Sequence, residues 1–174
     1  MIDPSAFIHE KAHLDAETVS LGAGTKIWQF ASVIRGAVIG SNCVVAAAAQ
    51  IDGARIGDDC RIEFGVSVPH GVLIGDRVFI GPGAIFCNDA WPNAGRDGID
   101  HDAVAAGCTI RVEDDASIGA GAIILPGVVI GARAFVAAGA AVDRNVPANM
   151  VWRRNGYVGP YPKDYRSRRM RLIC

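Results

Sequence analysis

Large aliphatic side chains recur every six residues along most of this chain, and no other feature constrains its fold as strongly. An amphipathic helix would repeat at three, four and seven residues, and a simple strand would alternate at every second residue. A period of six instead predicts a short strand, a corner and another short strand. The members of this series are Ile2, Ile8, Leu14, Leu21, Ile27, Val33, Ile39, Val45, Ile51, Ile56, Ile62, Val68, Ile74, Ile80, Phe86, Val112, Ile118, Ile124, Ile130, Val136 and Val142.

A second series of small or β-branched residues follows the first at a distance of four. Three six-residue units form one coil of about 18 residues, in which the large aliphatic fills a triangular prism and the small residue fits where two faces converge. At ~4.8 Å per coil, six or seven coils make a rod about 30 Å long. The small series is Ala12, Thr18, Thr25, Ala31, Ala37, Cys43, Ala49, Cys60, Val66, Val72, Val78, Ala84, Ala116, Ala122, Val128, Ala134 and Ala140.

The six-residue repeat is interrupted once, after Phe86, for about two dozen residues. The segment 87–111 reads "CNDAWPNAGRDGIDHDAVAAGCTIR" and mixes polar residues with Gly, Pro and Trp. Long loops without structure of their own are uncommon inside compact domains and are usually functional or disordered. We therefore predict an arm that leaves the prism at a corner and helps to close a site against a neighbouring subunit.

Charge is divided unevenly between the body and the tail of the chain. Residues 1–152 carry ten Lys and Arg against seventeen Asp and Glu, whereas residues 153–174 carry seven against one. Such a basic tail can meet nucleic acid, an anionic membrane or a phosphorylated small molecule, but most such tails are solvated termini. We therefore expect a solvated or disordered tail and no nucleic-acid partner. We also predict no membrane partner, since no apolar stretch approaches the ~20 residues of a membrane span.

Five cysteines without a CxxC pair predict neither a disulfide framework nor a zinc ribbon, and they fit a reduced cytoplasm. Cys43 and Cys60 fall in the small-residue series, so we expect buried spacers. Cys87 lies in the arm and remains open as a nucleophile.

Three stretches carry a resemblance to a known family: "TKIWQFASVIRGAVIGSNC", "RVFIGPGAIFCNDAWP" and "FVAAGAAVDRNVPANMV". They resemble the hexapeptide acyltransferases, and within them the acetyl-CoA-dependent N-acetyltransferases of nucleotide-linked amino sugars. "IWQF" followed by "IGPGAIFCND-x-x-P" is most similar to enzymes that acetylate the 3-amino group of dTDP-linked 3-amino-3,6-dideoxyhexoses. The resemblance covers residues 1 to about 150 and implies a left-handed parallel β-helix that forms a homotrimer with active sites at subunit interfaces.

The resemblance also implies a site. A matching asparagine touches the sugar amine, which assigns Asn88, and Asp89 and His70 are implied substrate contacts. Acetyl-CoA is the implied co-substrate: its pantetheine chain would lie beside Ala122, Ala138, Gly139 and Ala140, and its phosphates would meet Arg144 and, as weaker candidates, Arg153 and Arg154. The sequence departs from the family where "RRNGYVG" follows the last repeat and where "VPHG" places His70 at an acidic position.

The same prism carries zinc in γ-type carbonic anhydrases, which need three converging histidines. His9, His13, His70 and His101 do not have that spacing, so we predict no metal site. A non-catalytic scaffold and an acetyltransferase for a UDP-linked sugar remain alternatives. We expect a β-helix acyltransferase domain over 1–152, with 87–111 extruded, and a basic tail over 153–174.

Overall fold

A computed structural model describes residues 1–90 and 109–161 of the chain. Within these residues the protein is entirely β, with no helix. Short corners separate strands of two or three residues. The strands are β1 (Phe7–Ile8), β2 (His13–Leu14), β3 (Ser20–Leu21), β4 (Lys26–Ile27), β5 (Ser32–Ile34), β6 (Val38–Ile39), β7 (Val44–Val45), β8 (Gln50–Asp52), β9 (Arg55–Ile56), β10 (Arg61–Ile62), β11 (Ser67–Val68), β12 (Val72–Ile74), β13 (Phe79–Ile80), β14 (Ile85–Phe86), β15 (Ile110–Val112), β16 (Ser117–Ile118), β17 (Ile123–Ile124), β18 (Val129–Ile130), β19 (Phe135–Val136), β20 (Ala141–Val142), β21 (Met150–Trp152) and β22 (Val158–Pro160).

Each coil contributes one strand to each of three sheets, so that up to β20 hydrogen-bonded neighbours are three strands apart in sequence. The nine-stranded sheet has the order β1-β4-β7-β10-β13-β16-β19-β21-β22, the seven-stranded sheet β2-β5-β8-β11-β14-β17-β20 and the six-stranded sheet β18-β15-β12-β9-β6-β3. These strands pair in parallel except β21 and β22. The predicted all-β parallel β-helix is therefore confirmed. Its left hand stays a prediction from resemblance.

The six-residue series forms the core, as predicted. From Leu21 onward every member is buried, and only Ile2, Ile8 and Leu14 in the open first coil are partly or largely exposed. One member of the small-residue series is wrong: Thr18 is exposed, and Val19 is fully buried in its place. The extra residue between Leu14 and Leu21 lengthens that corner, and the Thr18 hydroxyl turns outward to donate to Asp15 Oδ2 at 2.6 Å.

The corner that follows the six-stranded sheet, which we call the third corner, is braced by aspartates on successive coils. Oδ1 of Asp58 accepts from the N–H of Ser41 at 2.7 Å, Asp76 does the same for Asp58 at 2.9 Å, and Asp114 for Asp76 at 3.0 Å. Gly57 precedes one of these turns because a β-carbon there would overlap the backbone of Gly75 and Oδ1 of Asp76. Each acidic side chain therefore ties its coil to the one before it.

Inside the same corner, Thr25, Cys43 and Cys60 form a ladder of buried polar side chains. The thiols of Cys43 and Cys60 donate to the carbonyls of Gly57 and Gly75, both at 3.1 Å, and each sulfur accepts an N–H from the next coil at 3.4 Å. The hydrogen bond with Cys43 and burial raise the pKa of Cys60 far above its ordinary value. Cys43 and Cys60 are thus buried spacers, as the sequence predicts.

The last strands close the upper end of the prism. The Trp152 ring is 1% exposed and its Nε1 donates to the carbonyl of Ala141 at 2.9 Å. The antiparallel partner β22 keeps the chain within the nine-stranded sheet up to Pro160. None of the described residues forms a helix long and apolar enough to cross a membrane.

Candidate active site

The corner that follows the seven-stranded sheet, which we call the second corner, is where the repeat breaks. The strand register places Arg35, Gly53, His70 and Asn88 at this corner on four successive coils. Cys87 still belongs to the winding, because its N–H donates to Ile124 O at 2.9 Å. The winding has resumed by Thr109, whose N–H donates to Gly71 O at 2.8 Å. The rest of the predicted arm, 91–108, lies outside the described residues and includes His101.

Asn88 is held by the backbone of the coil before it. Its Nδ2 donates to the carbonyl oxygen of His70 at 3.3 Å, and the side chain is half-buried. An amide has two donor hydrogens and one acceptor oxygen. With the NH₂ group turned toward His70, the side-chain oxygen of Asn88 points away from that carbonyl and can accept a hydrogen bond from an amine.

The His70 side chain packs against the backbone of Gly53. A β-carbon at Gly53 would overlap Nδ1 of His70 and would come 3.1 Å from the carbonyl oxygen of Arg35, so the ring occupies space that only glycine leaves free. Beside it, Nε of Arg35 is 3.4 Å from Oδ1 of Asp52, an oxygen that is buried and makes no hydrogen bond among the described residues. Sequence reasoning missed Gly53, because the sequence does not distinguish it from the other corner glycines.

Arg144 lies on the same corner two coils above Asn88, about 10 Å along the axis at ~4.8 Å per coil. Its Nε donates to Asp143 Oδ1 at 2.9 Å, and its guanidinium carbon is 5.7 Å from the centre of the Trp152 ring. This hydrogen bond lowers the pKa of Asp143 and raises that of Arg144. The guanidinium is exposed and can reach an anion.

Asp89 follows Asn88 at the second corner, whereas the residues predicted beside the pantetheine chain belong to the corner that follows the nine-stranded sheet, which we call the first corner. Ala138 and Gly139 are exposed there, and Cδ of Arg154 lies 3.7 Å from the position of a β-carbon on Gly139. Ala122 and Ala140 face the interior, at 0% and 1% exposure, so only their backbone could contact a ligand. The predicted site residues are thus divided between two corners of one subunit.

The three described histidines do not converge. Nδ1 of His9 accepts from the N–H of Lys11 at 3.1 Å, and His13 lies three coils below the coil of His70. Three coils separate two residues by about 14 Å, far more than two ligands of one metal ion. Over residues 1–90 and 109–161, no three His, Cys, Asp or Glu side chains form a group that could hold a metal.

The six-residue repeat matches two families of known proteins. The family described as bacterial transferase hexapeptide (six repeats) matches residues 53–88 and 109–144, and the hexapeptide repeat of succinyl-transferase matches residues 36–69. Gamma carbonic anhydrase 2, mitochondrial, of Arabidopsis thaliana is 33% identical over 161 residues, which is 89% of this chain and 47% of the plant protein. The chain spans about half the length of the curated plant relatives it matches.

Solved structures share the fold at low sequence identity. The UDP-N-acetylglucosamine acyltransferase of Francisella novicida is similar with a TM-score of 0.64 and 19% identity, covering 98% of this chain and 73% of that one. The N-acyltransferase AntD of Bacillus cereus, solved with dTDP-4-amino-4,6-dideoxyglucose and coenzyme A, has a TM-score of 0.57 and 18% identity, covering 97% and 87%. The two repeat matches together cover residues 36–88 and 109–144, so the chain shares the hexapeptide repeat of these families and the fold of the solved acyltransferases.

Proposed function

We propose that this protein transfers the acetyl group of acetyl-CoA to the amino group of a nucleotide-linked amino sugar. The observation that carries the proposal is the Asn88 side chain, held on the carbonyl of His70 at the corner where the repeat breaks. The similar proteins of known structure include acyltransferases described with coenzyme A and an amino-sugar nucleotide, which supports this substrate class.

The reaction needs a neutral amine, an acceptor for its hydrogen and stabilisation of the oxyanion. An amine N–H donating to the side-chain oxygen of Asn88 would direct the nitrogen lone pair away from the coil and toward the thioester. The C–N bond then forms, the C–S bond breaks, and the proton lost by the nitrogen leaves with the CoA thiolate or with solvent. A sugar amine beside electron-withdrawing oxygens is partly neutral near pH 7, so direct attack requires no strong base.

A homotrimer would complete the site. The residues implied for coenzyme A, Ala138 and Gly139, lie on the first corner, whereas Asn88 and His70 lie on the second. The two corners of one subunit flank the seven-stranded sheet, so a single ligand contacts both most directly when the first corner of one subunit meets the second corner of another.

The surface of the first corner is suited to such a contact. Phe30 and Phe64 are 66% and 61% exposed, and the half-buried or exposed alanines at 46–48 lie on the coil between them. Exposed apolar surface of this kind marks interaction sites more often than free surface. We expect Phe64→Glu to convert a trimer to monomers in light-scattering measurements, and a wild-type monomer would contradict the trimer.

Within the proposed class, the resemblance favours dTDP as the nucleotide and C3 as the position of the amine. Arg144 is the proposed phosphate contact, with Arg153 and Arg154 as weaker candidates, and Asp89 and His70 are the proposed sugar contacts. UDP-linked substrates remain the alternative. The "VPHG" departure bears on this choice, because a histidine stands where the resembling enzymes carry an acid.

The test is a thiol-release assay of acetyl-CoA against a panel of dTDP-, UDP- and GDP-linked 3-amino and 4-amino sugars. We expect turnover with one nucleotide series, and we expect Asn88→Ala to lower kcat at least tenfold while the thermal unfolding temperature is retained. Asn88→Asp serves as the matched control for size. An Asn88→Ala variant with full kcat and KM would refute the role of Asn88.

The panel also separates this proposal from a scaffold and from the activity that the plant relatives are named for. A protein that shows neither turnover nor a calorimetric signal with millimolar acetyl-CoA would be a scaffold. Zinc-dependent hydration of carbon dioxide, measured on the same preparation, would assign the chain to the activity of its plant relatives instead.

A further inference from the structure

The third corner carries an excess of negative charge on three consecutive coils. The segments 57–59, 75–77 and 113–115 form this corner on these coils and contain six acidic residues and one basic residue, Arg77. The acidic residues are Asp58, Asp59, Asp76, Glu113, Asp114 and Asp115. Arg77 is already engaged, since its Nε donates to Asp115 Oδ1 at 2.8 Å and its NH2 group to Asp115 Oδ2 at 3.2 Å. We call this surface the acidic edge.

A groove of about 590 Å³ opens at the upper end of the acidic edge. Leu73, Ile74 and Glu113 are among the residues that line it. Three acids and three arginines line it, so the groove by itself is close to neutral. The net negative charge of the surface comes from Asp58, Asp59 and Asp76, which continue the edge beyond the groove.

The described part of the chain ends beside this groove. The hydroxyl of Tyr161 donates to the carbonyl oxygen of Arg133 at 2.9 Å, and the Tyr161 ring lies 6.5 Å from the ring of Phe135. Arg133 itself lines the groove. The next residues of the sequence, "PKDYRSRRMRLIC", carry five Lys and Arg against one Asp.

We propose that the acidic edge binds the arginine-rich segment 162–174 of the same chain. Length permits it: backbone hydrogen bonds stack Arg133, Asp115, Arg77 and Asp59 on successive coils, so Asp59 lies about 14 Å below Arg133 at ~4.8 Å per coil. A fully extended chain spans ~3.3 Å per residue, so its length would allow Arg166 to lie up to about 16 Å and Arg171 up to about 33 Å from Tyr161. Arginine pairs carboxylates through two parallel N–H donors, so the exposed aspartates are suitable partners.

This surface is separate from the proposed active site, because the acidic edge lies on the third corner and Asn88 on the second. Binding in cis would neutralise the net charge that the acidic body otherwise presents there. It would also withdraw the segment from the other partners that a free basic peptide attracts, such as polyanions and anionic membranes. The arginines would then serve the fold of their own subunit.

Trypsin cleavage of the intact protein tests the proposal, because trypsin cuts after the tail arginines. At 50 mM NaCl we expect cleavage after Arg166, Arg168 and Arg169 to be at least tenfold slower than in the synthetic peptide 162–174, with most of this protection lost at 500 mM NaCl. The variant Asp59→Asn/Asp76→Asn keeps the oxygen that caps Asp58 and removes two charges. It should reduce the protection at least fivefold, whereas the matched variant Glu10→Gln/Glu17→Gln on the first coils should retain it.

Equal cleavage of the intact chain and the peptide would overturn the proposal. Protection that survives Asp59→Asn/Asp76→Asn would assign the segment to another surface and overturn it as well. Protection that falls on tenfold dilution of the protein would show that the segment binds a second copy, which contradicts binding in cis.

Discussion

Replacing Gly53 by alanine tests the packing that links the fold to the proposed site. Gly53 has a φ of +68°, and a β-carbon there would overlap the His70 ring. Gly65 is the matched control, because its φ is +66° and an added β-carbon would meet nothing within 4 Å. The two substitutions therefore share the backbone strain and differ only in the overlap.

The magnitudes follow from these two terms. A non-glycine residue in the left-handed region costs about 1–2 kcal/mol, and alanine regains about 0.4–1 kcal/mol by restricting the unfolded chain. We therefore expect Gly65→Ala to lower the free energy of unfolding by about 1 kcal/mol. Gly53→Ala must in addition displace the His70 ring, at the about 1–3 kcal/mol typical of an overpacked site.

Urea unfolding followed by circular dichroism measures the difference. With a slope of about 2 kcal/mol/M, an additional loss of 2 kcal/mol lowers the midpoint of Gly53→Ala by about 1 M relative to Gly65→Ala. In the thiol-release assay, Gly53→Ala should lose at least tenfold in kcat, because the His70 carbonyl holds Asn88. Equal losses of stability in the two variants would refute the proposed packing of His70 on Gly53.

Three further substitutions test the core and the third corner. Ile74→Asp buries a charge at a position that is 5% exposed, so we expect this variant to show no cooperative unfolding transition by circular dichroism. The control Ile74→Val should fold. A folded aspartate variant would contradict the inward orientation of Ile74. Asp76→Ala removes the acceptor for the N–H of Asp58 and should lower the free energy of unfolding by about 1 kcal/mol. Asp76→Asn keeps an acceptor oxygen and should retain most of that stability in thermal melts. Equal losses in the two variants would contradict a stabilising role for this hydrogen bond. The hydrogen bond from Arg77 lowers the pKa of the Asp115 carboxyl in the folded protein. The ionised carboxylate therefore stabilises the fold at pH values above the pKa of an aspartate in the unfolded chain, near 4. This contribution is lost as the pH falls through the lower pKa of Asp115 in the folded protein. Asp115→Asn should therefore melt below the wild type at pH 7 and together with it near pH 2; a difference that is constant with pH would contradict the ion pair.

The sequence could predict the coil because its determinants are local and repeated. Each inward position of the prism accepts only an aliphatic or a small residue, so a period of six appears in the letters themselves. The prediction failed at Thr18, where one inserted residue changes which of two neighbours turns inward. A single insertion lengthens one corner without changing the six-residue period on either side. The sequence does not indicate which residue of that corner turns inward.

The candidate site was less accessible to sequence reasoning. Asn88 was assigned through the family resemblance alone, and its anchoring by a carbonyl 18 residues earlier depends on how the coils stack. Gly53 carries no signal that separates it from the other corner glycines. The division of Asn88 and Gly139 between two corners likewise follows from the three sheets and not from their distance in sequence.

The sequence by itself determined the parallel coil, its inward residues and the point where the winding breaks, because these follow from side-chain size repeated at a fixed interval. Only the tertiary structure decided which residues of different coils touch. Stacking brings together residues that are 17, 18 or 38 positions apart, as in the hydrogen bonds that the side chains of Asp58, Asp76 and Asp114 accept from backbone N–H groups. Contacts of this kind depend on the register between coils, which is a property of the folded prism and not of any short stretch of chain.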